Sequence, residues 1–416
     1  MQYTKTTVNQ TPLHIIETDK FKNVHIAVRF FDTLDPLKAT KRHILASMMR
    51  SKTQNHSSRK ALSRSLEGLF DTVLNATSNK LGMVHINQFE LSFIHPSYAD
   101  DAHFLNDVLS VLKDVIHAPL LDEKSFKEEK QFLKDFFDAE YSNKTRYASK
   151  RYYEYLFEDH PYKVHPFGDE TLIDSISLKD IIDEWHHMIT SNAALISVTG
   201  NIEVEPLKDS LDQMFDLSER ALPTRPFIRR QMQVKHPVRE TMNVTQARLF
   251  MTLSSNIYYT DDDYVPMLVF NALFGDNSEA MLFQTIREKH GLAYYASSAY
   301  APSSGLVTVT SGVDEANVEK TKQLVRDIVS MIQAGTFDQN ALMLAKTHLK
   351  ASLKKSYDAP RTVSNKALRH AIFHVPFEKD ALMQAIDNTT KTDIIRVANT
   401  LEFIFTYELG RVDNDA

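Results

Sequence analysis

The chain has 416 residues, 43% of them hydrophobic and 25% charged, which is longer than one hydrophobic core usually serves and ordinary in composition for a globular protein. A formal net charge of −6 provides no broad basic surface for phosphates or anionic headgroups, so nucleic acid is not an expected partner. With no cysteine, disulfides, thiolate zinc sites and cysteine nucleophiles are excluded, leaving histidine and carboxylates as metal donors. The residues Met1-Gln2-Tyr3-Thr4-Lys5 do not begin a leader, and no segment has the apolar length of a membrane span; a cytoplasmic protein is expected.

In chain order, the near-alternation of Val84, Ile86, Phe89 and Leu91 predicts a strand, followed by a helical stretch over 101–116. Further helices follow, and the apolar run 194–199 with Gly200 reads as a strand and turn closing the first half. Residues 218–233 are polar and carry Pro223 and Pro226 without an apolar period, so they read as a linker between a domain at 1–217 and one at 234–416. In the second half, Asp261-Asp262-Asp263 precedes an apolar helix from Tyr264 and suits a cap and solvated loop, with calcium as the remote alternative. A helix should then end at Gly291 and a strand occupy 294–300, because glycine supplies the left-handed residue and the aromatic run suits a strand. Val307 and Val309 precede a helix over 317–332, and the run 403–407 with Gly410 closes the second half.

These halves are copies. A shift of 216 positions carries Asp122, Lys130, Leu133, Lys134, Tyr141 and Phe157 onto Asp338, Lys346, Leu349, Lys350, Tyr357 and Phe373, and a shift of 213 carries Leu178-Lys179-Asp180-Ile181-Ile182 onto Lys391-Thr392-Asp393-Ile394-Ile395. The expected fold class is α+β: two homologous domains from internal duplication, each a mostly antiparallel sheet with helices packed on one face.

The string Arg287-Glu288-Lys289-His290-Gly291-Leu292-Ala293-Tyr294 in the second half resembles the arginine and tyrosine segment of the insulinase, pitrilysin and mitochondrial-processing-peptidase family. The resemblance extends over nearly the whole chain, including the duplication, His160-Pro161-Tyr162, His165-Pro166-Phe167-Gly168 and Thr199-Gly200-Asn201. It implies an inverted zinc motif, H-x-x-E-H, on the first long helix, with a glutamate as base and a carboxylate from a later helix as third ligand. The matching stretch here is Arg42-His43-Ile44-Leu45-Ala46-Ser47-Met48-Met49. Only His43 is kept; Ala46 replaces the base and Ser47 the second imidazole. Taking Glu129 as the glutamate seven residues before the third ligand puts Phe136 at that position, with Asp135 adjacent and Glu128 or Asp138 available under a shifted match.

The resemblance therefore implies a non-catalytic subunit with no metal or cofactor of its own. Zinc is expected in a related partner, as a heterodimer or, alternatively, with a second copy as a homodimer. Arg287 and Tyr294 would act in trans on a bound peptide, as donors to a developing oxyanion. A self-associating peptide-binding scaffold with no role in proteolysis is the alternative.

Three other clusters have plainer readings. His370 and His374 are spaced to share a helix face, but no glutamate follows His370 in the H-E-x-x-H sense and the repeat matches them to Glu154 and Glu158. His186-His187 point to different faces. Lys346, Lys350, Lys354 and Lys355 form a solvated helix face or the wall of a chamber for acidic peptides.

Overall fold

Short alternating runs build two sheets in the computed structural model, which describes residues 1–215, 221–223, 227, 229–230 and 232–412. The first contains β1 (Gln2–Val8), β2 (Thr11–Glu17), β3 (Asn23–Thr33), β4 (Val73–Leu81), β5 (Val84–Ile94) and β6 (Ala193–Gly200), in the order β1-β2-β6-β3-β5-β4. The second contains β7 (Val238–Met242), β8 (Ala247–Ser254), β9 (Ala293–Ala301), β10 (Leu306–Val313) and β11 (Glu402–Arg411), in the order β7-β11-β8-β10-β9. Only β2 with β6 and β7 with β11 are parallel; the other neighbours are antiparallel. Apart from β1, the two orders are the same, so the duplication holds in space and the fold is α+β. Half of the linker expected at 218–233 lies outside the described residues.

Residues matched by the repeat do the same work. Lys130 donates to the Asp174 carbonyl and Lys134 to its carboxylate, at 3.4 and 2.6 Å; Lys346 and Lys350 do the same to Asp387, at 2.8 and 2.5 Å. Ser177 and Asp180 form a capping box on the helix Leu178–Ser191, as Thr390 and Asp393 do on Lys391–Ala398. Lys130, Lys346 and the two capping boxes satisfy backbone groups that would otherwise have no partner, and Lys134 and Lys350 pair with carboxylates.

Packing groups the chain into two units that are not continuous segments. One comprises Met1–Ala139, Asp159–Pro226 and Tyr357–Ile372; the other comprises Glu140–Glu158, Phe227–Ser356 and Phe373–Ala416. The helix Lys144–Leu156, from the first repeat, thus packs within the second unit, and most of its counterpart Pro360–Phe373 packs within the first.

In the first unit the exchanged helix covers a polar sheet face. Along β3, Val24, Ile26, Val28 and Phe30 enter the apolar core, while the alternate residues His25 and Arg29 point the other way and are also buried. The Arg29 guanidinium, fully buried, donates to Gln88 and Ser197 (both 2.5 Å) on neighbouring strands and to Ser364 (3.0 Å) and Asn365 (3.1 Å) on the helix. Glu90 accepts from His25 at 3.2 Å and from Arg361 at 2.9 Å. In the second unit the coverage is aromatic: Tyr152 stacks on Phe250 at 4.7 Å, and its hydroxyl meets Thr252 and Thr308 at 2.7 and 2.8 Å.

Arg29→Ala leaves four polar partners, three of them buried, without their donor and should destabilise the first unit by roughly 3 kcal/mol. Urea unfolding followed by Trp185, the chain's single tryptophan and a member of this unit, measures it; a loss below about 1 kcal/mol would contradict the network. Burial disfavours the charged Glu90 carboxyl, but the His25 hydrogen bond and charge and the Arg361 guanidinium outweigh it and hold the group at about 2, below its ordinary 4.5. A depressed carboxyl stabilises the fold fully above its unfolded value and loses that contribution as pH falls through the folded one. Stability should therefore drop between pH 4.5 and about 2, and Glu90→Gln should flatten the drop in the same Trp185 titration.

Candidate functional site

The helix Pro36–Met49 starts where Asp35 accepts from the Lys38 amide at 3.0 Å and Pro36 fills the first turn. Arg42 anchors it. Its guanidinium, fully buried, donates to His85 (3.0 Å), the Phe30 carbonyl (2.9 Å), Glu184 (3.4 Å) and Asn192. The next residue, His43, faces an aromatic group. The Phe167 ring stacks on it at 4.0 Å and 23°, Phe136 from the helix Glu123–Ser142 packs on Phe167 at 4.9 Å, and His165 lies 5.1 Å from Phe167 and 5.9 Å from Phe136.

The loop bearing Phe167 is pinned on both sides. Gly168 has φ +92° and packs so closely that a Cβ there would come within 2.0 Å of the Thr40 hydroxyl, so no side chain fits. The Asp169 amide donates to that hydroxyl at 2.9 Å, His85 meets the Pro166 carbonyl at 2.8 Å, and Lys80 donates to the Tyr162 and Val164 carbonyls at 2.6 and 2.8 Å. Burial pulls the Lys80 ammonium down to about 8. Burial, with the neighbouring His165 and Arg50, pulls His43 down to about 3, and its buried Nδ1 has no hydrogen-bond partner. His43 is a neutral imidazole in an apolar stack.

Ala46 and Ser47 are buried on the same helix and bring neither a proton acceptor nor an imidazole. Glu129 is turned to Arg59, 2.7 Å away, with Glu128 3.6 Å from the same guanidinium, and Asp135 accepts from Gln131 at 2.8 Å. Among the described residues, no three His, Asp or Glu side chains converge in a group able to hold a metal ion. The donors around His43 do not fit zinc, which needs three protein ligands and an open position for catalysis.

The second cluster is on the other unit. The chain from Phe283 to Lys289 is a π-helical turn rather than the α-helix its sequence suggests, anchored by the fully buried Ile286. Gly291, at φ +61°, ends it, and its amide and that of Leu292 donate to the Arg287 and Ile286 carbonyls at 3.0 Å. β9 begins two residues later. Arg287 is thereby brought to Tyr294: the guanidinium lies 5.8 Å from the Tyr294 ring and 4.7 Å from Phe283, with the Glu288 carboxylate 3.7 Å away. Tyr294 is 74% exposed and β9 is the outer strand of its sheet, with the Ser298 amide donating to the Gly275 carbonyl at 2.9 Å, so the pair sits at the start of that outer strand.

The shared helical face expected of His370 and His374 does not form: the helix ends at Phe373 and His374 has φ +57°. His370 instead meets Lys5 at 3.0 Å. Of the acidic run, Asp261 binds Arg229 and accepts from the Tyr258 amide at 2.9 Å, while Asp263 accepts from Arg396 at 2.6 Å and makes no cap hydrogen bond. His187 lies 3.4 Å from Asp32, whereas His186 packs on Trp185. Sequence reading did not find Arg42 and His85, whose buried roles depend on partners remote in the chain, nor the packing of Phe167 on His43; Gly168 after His-Pro-Phe was the one local signal of a tight approach.

The model of the peptidase M16 inactive domain matches residues 175–349. The chain is 27% identical over 404 residues, 95% of each chain, to "Probable inactive metalloprotease YmfF" of Bacillus subtilis, and 22% identical to an "Uncharacterized zinc protease" of Rickettsia felis over 70% of this chain and 71% of that one. Its fold matches that of a conserved protein from Enterococcus faecalis V583 with a TM-score of 0.92 and 24% identity over the whole of both chains. The chain is thus similar to the peptidase M16 inactive domain over residues 175–349 and, over nearly its whole length, to a relative named a probable inactive metalloprotease.

Proposed function

We propose that this chain is the non-catalytic subunit of a zinc peptidase assembly, pairing in the cytoplasm with a zinc-competent relative to enclose peptides. The observation carrying the proposal is the asymmetry between its two clusters. The one around His43 has Ala46, Ser47 and Phe136 where a base and further ligands would stand, whereas Arg287 and Tyr294 stand together at the start of an outer strand.

That edge suits an extended peptide, which can add to the sheet through main-chain hydrogen bonds with little demand on sequence. A guanidinium and a phenol beside it are donors for negative charge developing on a scissile carbonyl oxygen, and neither needs a metal to act. The partner would supply the zinc, its ligands and the proton acceptor. The nearby Glu288 carboxylate, which offsets part of the Arg287 charge, favours a second reading in which the chain is a self-associating peptide-binding scaffold and the pair is a remnant.

Arg287→Ala and Tyr294→Phe, each in the chain co-purified with its zinc-bearing partner, separate the readings. The first predicts that turnover falls by roughly 100-fold for the arginine variant while the complex keeps its size on gel filtration. Unchanged turnover in both intact complexes would sink it and favour the scaffold.

A further inference from the structure

We infer that the metal position in this chain is closed by an aromatic plug, so that restoring the missing histidine would not by itself restore zinc binding. Three observations on separate elements support this. Phe136 occupies the place on the helix Glu123–Ser142 where the sequence match puts the third ligand, and its ring is 4.9 Å from Phe167. Phe167 in turn lies flat on His43 at 4.0 Å, so one ring fills the space between the surviving histidine and the third-ligand position. His43 Nδ1 is buried without a partner. A metal-ligating imidazole almost always donates its second ring nitrogen to a carboxylate, carbonyl or water, which fixes the ring and raises its basicity. The support a ligand histidine needs is missing along with its co-ligands.

The plug is held from outside. Gly168 against Thr40, His85 on the Pro166 carbonyl and Lys80 on the Tyr162 and Val164 carbonyls fix the loop that carries Phe167, so the ring cannot leave without breaking contacts on two further elements. Close packing makes such a site one fixed arrangement rather than a soft pocket. The chain has replaced a polar, ion-filled centre with ring contacts that hold the same helices together, and loss of the metal costs it no order there. The inference stands apart from the partner reading of Arg287 and Tyr294, since it concerns only this chain's capacity for zinc.

The test compares zinc binding by the full-length chain carrying Ser47→His with that of Ser47→His/Phe136→Glu/Phe167→Leu. Calorimetry with zinc and metal content after desalting give the readout, and circular dichroism checks the fold. Ser47→His alone should bind no stoichiometric zinc, while the triple variant, with two imidazoles, a carboxylate and the stack removed, should bind one ion at least about 100-fold more tightly. One-to-one zinc binding by Ser47→His alone overturns the proposal, whether or not the triple variant folds. A folded triple variant that binds no better than Ser47→His overturns it as well.

Discussion

A sheet with helices on one face has a second face that must be either wetted or covered, and covering it is what organises this molecule. β3 carries Arg29 and His25 on that second face, both buried, and a charged guanidinium without water must find its partners in the protein. Those partners come from neighbouring strands and from a helix of the other repeat, so the first unit is incomplete until the chain has run to residue 372. The second unit solves the same problem with the matching helix of the first repeat, but through aromatic stacking about Tyr152. Duplication supplied two equivalent helices, and each is packed against the sheet of the other repeat.

The same scaffold holds the helix that carries His43 without any metal. The helix Pro36–Met49 is held by Asp35, by Arg42 and by the loop closed on Thr40, none of which needs a metal. With those constraints in place, Ala46 and Ser47 are buried and Phe136 packs, partly buried, against the core. On the other unit no such closure occurs. The π-helical turn and Gly291 bring a guanidinium beside an exposed phenol at the start of the outer strand β9. One cluster is a partly buried aromatic stack, while the other leaves Tyr294 exposed.

Much of this was readable from sequence where a local rule governs. The strands and the helices before and after them follow from alternation and glycine stops. The duplication was legible because Lys130, Lys134 and their counterparts each satisfy the same carbonyl and carboxylate, so their identity could not drift freely. The stretch from His43 to Ser47 could be compared with the zinc motif from sequence because that motif is contiguous. What escaped reading depends on contacts distant in sequence: the exchange of Lys144–Leu156 and Pro360–Phe373 between units, the Arg42 network, and the meeting of residues 43, 136 and 167. The π-helical turn before Gly291 escaped because its wider backbone is set by how Ile286 seats in the core, not by propensity.

The most direct test of the account is zinc content and peptide hydrolysis of the purified chain, alone and then mixed with a co-expressed H-x-x-E-H-bearing relative from the same source. The account predicts a chain that is metal-free and inert by itself and that raises hydrolysis by its relative when the two are combined. Stoichiometric zinc in the lone chain, with hydrolysis that a chelator abolishes, would contradict it.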